Sequence, residues 1–305
     1  MKTEIPLGYD GCPLLAFLRG ELKISGRLLT RLKQRENGIM INGSQVTVRY
    51  LLHGGDILEL ADGDVSSNER LVPRDLPLSV IYEDSDVIAL NKPPHMPTHP
   101  SHGHTDDTLA NALAFRFADQ PFVFRPVNRL DRDTSGVVLV AKNQHAAAFF
   151  AESMRSHRLQ KTYLAILDGE LTGSGVIDAP ICRERESIIL RRTCSLDEDG
   201  AQPALTEYTV LDTCGGHSLV LVKPKTGRTH QIRVHFASLG TPITGDDLYG
   251  QPSPLIDRQA LHALSLELDS RSGEPMRLIA SPPEDLTSLA DSLGLKIPEN
   301  IRISK

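Results

Sequence analysis

The chain has no tryptophan, and aromatic residues make up only 5% of its 305 positions. That argues against a broad aromatic platform on which nucleic-acid bases could stack in series. Cysteine is scarce as well. Cys12, Cys182, Cys194 and Cys214 show neither a C-x-x-C pair nor a zinc spacing, so four reduced thiols in a reducing compartment are expected. No apolar run approaches the roughly 18–20 residues needed to span a bilayer. The opening MKTEIPLGYDG places an acid and a proline where a signal peptide carries its apolar core. A cytoplasmic protein without membrane partners is expected. What remains is ordinary globular composition, 40% hydrophobic and 24% charged, on a chain long enough for two domains.

The formal net charge of −6 conceals a gradient. Between Arg19 and Arg49 seven bases face two acids, whereas from Asp246 to Glu299 ten acids face four bases. Within the basic stretch, Leu28, Leu29 and Leu32 recur at helical spacing, with Ser25 as a cap and the bases on the other face. Asn42-Gly43 between short apolar runs predicts a tight hairpin, and the His53-Gly54-Gly55-Asp56 turn leads into a last strand at 57–60. This α/β unit resembles the αL RNA-binding module first known from a small-subunit ribosomal protein. The resemblance implies an RNA-binding face at Lys23, Arg27, Arg31, Lys33 and Arg35, in a domain over residues 1–62. A solvated basic helix is the plain alternative.

Residues 63–76 are polar and read as a linker. From 77 to 305 strands alternate irregularly with a few helices. Strands are predicted near 137–142, 160–168, 205–212, 217–223 and 260–268, and helices near 107–118, 143–156 and 229–239. This pattern indicates an α+β domain with a mostly antiparallel sheet.

Two segments carry the chemistry. In PVNRLDRDTSGVVLVAK, 126–142, Asp131 sits in a charged loop that runs straight into an apolar strand, which would hold a polar group on a rigid support. In TGRTHQIRVHFASLG, 226–240, Ile232 and Phe236 can face a core while Arg233 points to a cleft, with Thr229 as the helix cap. The amides of the preceding loop could meet a phosphate or simply cap the helix. An aspartate held by an arginine stays ionised and can serve as nucleophile or base without a metal. A structural ion pair is equally compatible with the residues alone.

Five segments occur in order: NKPPHMPTHPS, NRLDRDTSG, QKTYLAIL, KTGRTHQIRVHFASLGTPITGDDLYG and QALHALSLEL. Together they resemble the RluA/RluD family of RNA pseudouridine synthases over residues 77–270. The resemblance implies a mixed, mostly antiparallel sheet around a central cleft, and isomerisation of uridine to pseudouridine without cofactor or metal. It matches Asp131 to the catalytic aspartate and Tyr163 to the tyrosine that packs on the extruded uracil. It matches Arg233 to the partner of the carboxylate, Ile232 to the apolar wall under the base, and Arg129 to the residue that fills the gap in the RNA. Arg228 is expected to contact substrate. The family usually has histidine where this chain has Asn128. Large-subunit ribosomal RNA is the preferred target and transfer RNA the alternative.

Two rival readings remain. A chain on this fold could act as a non-catalytic RNA-binding or ribosome-assembly factor. The crowding of His95, His99, His102 and His104 could serve a metal-dependent hydrolase, although Pro94, Pro97, Pro100 and Gly103 make that stretch a loop. Asp133 invites a paired-carboxylate mechanism. The family motif varies there, so it is taken as a solvated turn residue, and Asp246 and Asp247 as turn formers, Asp246 through backbone amides.

Overall fold

A computed structural model describes residues 2–22, 24, 26–61, 71–184, 187 and 189–302, with the side chains of Arg27 and Arg31 excepted. Lys23, Ser25 and most of the expected linker therefore lie outside the described residues.

The N-terminal elements are β1 (Lys2–Glu4), α1 (Leu14–Gly20), α2 (Gly26–Gln34), β2 (Ile39–Ile41), β3 (Ser44–Gln45) and β4 (Ile57–Leu60). They form an antiparallel sheet in the order β1-β4-β2-β3. Leu28, Leu29 and Leu32 turn one face of α2 onto Ile5, Phe17, Ile41 and Leu58, a core separate from the rest of the chain, while Lys33 and Arg35 stay exposed. The Asn42-Gly43 turn has φ of 49° and 77°, the left-handed pair that such a hairpin requires. Asp56 fixes it by accepting from Asn42 Nδ2 at 2.8 Å.

Residues 71–76 depart from the expectation of a free spacer. Leu71 and Leu76 pack on the larger core, and the Val72 carbonyl accepts from buried Asn111 at 2.8 Å. Two leucines and one buried amide suffice to lay this stretch along the second unit.

That unit continues with β5 (Val80–Glu83), β6 (Val87–Lys92), α3 (Leu109–Arg116), β7 (Ser135–Ala141), α4 (Gln144–Arg155), β8 (Gln160–Asp168), β9 (Ser174–Asp178), β10 (Ile181–Arg183), β11 (Arg191–Thr193), β12 (Leu205–Cys214), β13 (His217–Pro224), α5 (Gln231–Ser238), β14 (Leu261–Asp269), β15 (Pro275–Ile279), α6 (Glu284–Ser292) and α7 (Glu299–Arg302). A nine-stranded sheet runs β5-β6-β7-β14-β8-β13-β12-β9, with β15 also on β14. Every pairing is antiparallel except β7 with β14. Alternate residues of the central strands serve opposite faces, as strand geometry demands. Val138 and Val140 join α3, α5 and α6 in one core. Val137 and Leu139 join Ala146 and Phe150 of α4 in the other.

At the parallel seam the backbones nearly touch. A Cβ on Gly136, where φ is +116°, would lie 2.2 Å from the Ala263 carbonyl oxygen. Only glycine fits there, which accounts for the glycine of the Thr-Ser-Gly turn. The loop ahead of β7 and the start of β14 consequently open onto the same side of the sheet.

Candidate active site

A cavity of about 770 Å³ opens at this seam, and Arg129, Asp131, Tyr163, Arg228, Ile232 and Arg233 all line it. Residues a hundred positions apart in sequence thus share one wall. The Asp131 side chain keeps 32% of its surface and lies 3.5 Å from Arg233 Nη1, which is almost fully buried. Arg233 makes its shorter contacts elsewhere. Nε and Nη2 donate to the two oxygens of Asp246 at 2.6 and 2.7 Å. Asp246 is more than a turn former: its Oδ1 takes the Leu248 and Tyr249 amides, and its carboxylate holds the arginine. Burial works against the Arg233 guanidinium, but Asp246 and then Asp131 outweigh it and raise its pKa. A fixed guanidinium therefore presents its remaining nitrogen to Asp131.

Asp131 has a second neighbour that sequence reading missed. His230 stands before α5 in the left-handed conformation, φ 57°, and its Nε2 is 3.9 Å from Asp131. Its Nδ1 lies 2.8 Å from the Tyr249 hydroxyl, which accepts the Arg191 amide at 2.9 Å. The hydroxyl keeps a proton that it can donate to Nδ1, the arrangement in which the imidazole proton sits on Nε2 and faces the carboxylate. Burial lowers the pKa of His230 despite the Asp131 charge, consistent with a neutral ring. Thr229 is not the cap, because the chain kinks at His230 and α5 starts at Gln231. The Gln231 amide anchors the turn instead, accepting from the Arg228 amide at 3.0 Å and donating to Leu205 O at 3.0 Å. Arg228 itself is tied back to the Pro203 carbonyl at 3.0 Å.

Four side chains from other segments hold the Asp131 loop by its backbone or by Thr134. Thr98 donates to Leu130 O at 3.0 Å, and Arg258 to Asp133 O at 3.1 Å. Gln259 donates to the Thr134 hydroxyl at 3.1 Å. The fourth is Lys92, fully buried, whose ammonium donates to Pro93, Met96 and Arg132 carbonyls at 2.8, 2.8 and 2.9 Å. Burial pushes Lys92 down to about 7. The segments NKPPHMPTHPS and RQALHAL thus supply clamps for the carboxylate loop. Asn128 completes it by bridging the Val137 carbonyl and the Leu139 amide at 2.9 and 2.8 Å, so the unusual amide seats the loop on β7.

Tyr163, 8% exposed, faces the same cavity from β8. Burial and then the Asp131 charge raise the pKa of its hydroxyl, so it rests as a neutral phenol. Ile232 is buried in the wall. Arg129 is exposed at the rim.

Two further expectations need correction. Asp133 is not a solvated turn residue: Arg132 Nε donates to it at 2.9 Å and His95 Nδ1 lies 3.2 Å away. It balances local charge at the base of the loop. The cysteines are not all free thiols, because Cys182 and Cys194 form a disulfide with Cα atoms 6.1 Å apart. The β10–β11 hairpin sets Cys182 opposite Arg192, which brings Cys194 alongside, a proximity that a spacing of twelve does not announce. Glu198 lies close enough to complete a three-ligand group with these cysteines, but Arg192 already pairs with it. The histidines of the 95–104 loop diverge to separate partners, His95 to Asp133, His104 to Asp107 and His99 to the Phe124 ring.

Residues 86–238 match the family described as RNA pseudouridylate synthase. The chain is 38% identical over 276 residues to an uncharacterized RNA pseudouridine synthase of Bacillus subtilis, covering 88% of this chain and 95% of that protein. It is 37% identical over 271 residues to ribosomal large subunit pseudouridine synthase D of Xanthomonas campestris, covering 83% and 80%. Among solved structures, human RNA pseudouridylate synthase domain containing 1 is similar at a TM-score of 0.57 and 32% identity, over 68% of this chain and 84% of that one.

Proposed function

The chain belongs to the RNA pseudouridylate synthase family, and from that premise we propose that it isomerises uridine in large-subunit ribosomal RNA with Asp131 as the catalytic group. The observation that carries this reading is the clamped, solvent-reaching carboxylate of Asp131 between Arg233 and His230. The relative in Xanthomonas campestris bears a large-subunit name, which favours that RNA over transfer RNA.

The reaction breaks the ribose C1′–N1 bond of uridine, turns the uracil and rejoins it through C5. The target base must first leave its stack, which costs a few kcal/mol, and Arg129, exposed at the rim, fills the space it vacates. Tyr163 and Ile232 then sandwich the uracil, so that the detached base cannot diffuse away. Asp131 either attacks C1′ or takes the C2′ proton, and both routes need a carboxylate such as the one Arg233 Nη1 faces at 3.5 Å. As rejoining ends, the C5 proton must leave. The neutral Tyr163 hydroxyl can pass it only as a relay, accepting while it donates. No step draws on a cofactor or metal. The basic face of α2 adds sequence-independent attraction to phosphates, and the cytoplasm is where such an RNA is met.

No helix among the described residues is long and apolar enough to cross a membrane. The test uses purified protein and deproteinised ribosomal RNA from a strain lacking the gene. Wild type should form pseudouridine without additions, and Asp131→Asn should form none while melting at the same temperature. Full activity in the variant would refute the assignment.

A further inference from the structure

Lys161 is a cation in the cavity wall that meets nothing of opposite charge among the described residues. It lies on β8 two residues before Tyr163, so both side chains leave the same face, and both line the cavity. Its Nζ has a single long bond, 3.4 Å to the Thr226 carbonyl, and no carboxylate pairs with it among the described residues. Other shielded bases of this unit are satisfied, Lys142 by Glu83, Arg233 by Asp246, Arg258 by Asp285 and Lys92 by three short bonds to carbonyls. Burial lowers the pKa of Lys161 with no anion to offset it. A partly buried ammonium without a counter-charge costs stability. Lys92 offsets that cost with three carbonyls, whereas Lys161, at a cavity wall with one long bond, is left open to an anion that arrives from outside. The loop opposite leaves room for one, since a Cβ on Gly227 would sit 3.3 Å from Nζ.

We propose that Lys161 binds a backbone phosphodiester of the flipped nucleotide, an inference that rests on the uridine-isomerase reading above. Tyr163 and Lys161 lie about 7 Å apart along the strand. That separation suits a single nucleotide with its uracil on the tyrosine ring and its neighbouring phosphate on the ammonium. A lysine suits the task, as a compact point charge on a reaching stem. The contact would also commit the nucleotide to the flipped state, because no stacked nucleotide can bring its phosphate so deep.

The test compares wild type with Lys161→Gln and Lys161→Arg on a short transcript spanning the uridine mapped in vivo. For Lys161→Gln the log–log dependence of binding on salt should be shallower by about 0.7–0.9, the value for one lost phosphate contact. KM should rise roughly ten- to hundredfold, with a smaller fall in kcat, and Lys161→Arg should restore the slope. Unchanged slope and KM in a folded Lys161→Gln would overturn the proposal. A methylphosphonate placed at each linkage beside the target uridine tests wild type without any variant. One linkage should weaken binding as much as Lys161→Gln does and add nothing further in that variant. If no linkage does so, the proposal falls. A slope change without any pseudouridine in wild type would support the phosphate contact and refute the isomerase reading.

Discussion

The loop at 128–134 and the helix α2 both present charge to the outside, but they are built on opposite principles. The loop carries one decisive carboxylate. Lys92, Thr98, Arg258 and Gln259, drawn from segments far away in sequence, fix its backbone and Thr134. Helix α2 buries three leucines and leaves Lys33 and Arg35 exposed. For the chemistry proposed at the loop, a displacement of 1 Å can cost about 10²-fold in rate, which fits the buried polar groups spent on its position. For the phosphate attraction proposed for α2, charge suffices and position is left free. Activity should therefore be brittle to changes around the loop and tolerant of changes on the helix.

The sharpest break is Arg233→Lys. Lysine cannot span both Asp246 oxygens and still face Asp131, so kcat should fall roughly 10²–10³-fold with little change in RNA affinity. Single-turnover rates beside equilibrium binding would check this, and a loss confined to affinity would contradict it. Lys92→Met comes next, although Lys92 lines no part of the cavity. Three carbonyls lose their donor, so stability should fall by about 2 kcal/mol and kcat by about 10²-fold.

Lys92 also predicts a pH signature. Its pKa is about 7 in the fold against 10.5 for an ordinary lysine, so between those values the unfolded chain binds more protons. Stability of wild type should rise with pH across that window, by up to about 1.4 kcal/mol per pH unit, relative to Lys92→Met. Denaturant titrations of both proteins at several pH values measure it, and parallel curves would contradict it. The smallest effect on rate belongs to the helix. Reversing Arg27, Arg31 and Arg35 should weaken RNA binding about tenfold and flatten its salt dependence, with kcat at saturation unchanged. A fall in kcat would erase the contrast between the two regions.

The same contrast explains what could be read in advance. Leu28, Leu29 and Leu32 reveal α2 because periodicity is local, and the run from Val137 to Val140 reveals β7 for the same reason. Asp131, Tyr163 and Arg233 were legible through a resemblance of ordered motifs, and the cavity gathers them. The clamps were not legible. Lys92 looks like a surface lysine until three carbonyls surround it, and His230 looks like part of a helix until its φ turns positive. Asp246 reads as a turn residue because its bond to Arg233 spans a helix and a loop. The strands β9, β10 and β11 escaped notice because they are short and lack the alternating apolar pattern, β15 because its alternation rests on Met276 and Leu278 alone, and the disulfide because it depends on the β10–β11 register.

The central claim, that this carboxylate rearranges uridine in ribosomal RNA, is tested most directly by mapping pseudouridine across large-subunit RNA from a strain lacking the gene. At least one position should revert to uridine, and it should regain pseudouridine on complementation with wild type but not with Asp131→Asn. An unchanged map, or full restoration by the variant, would contradict the account.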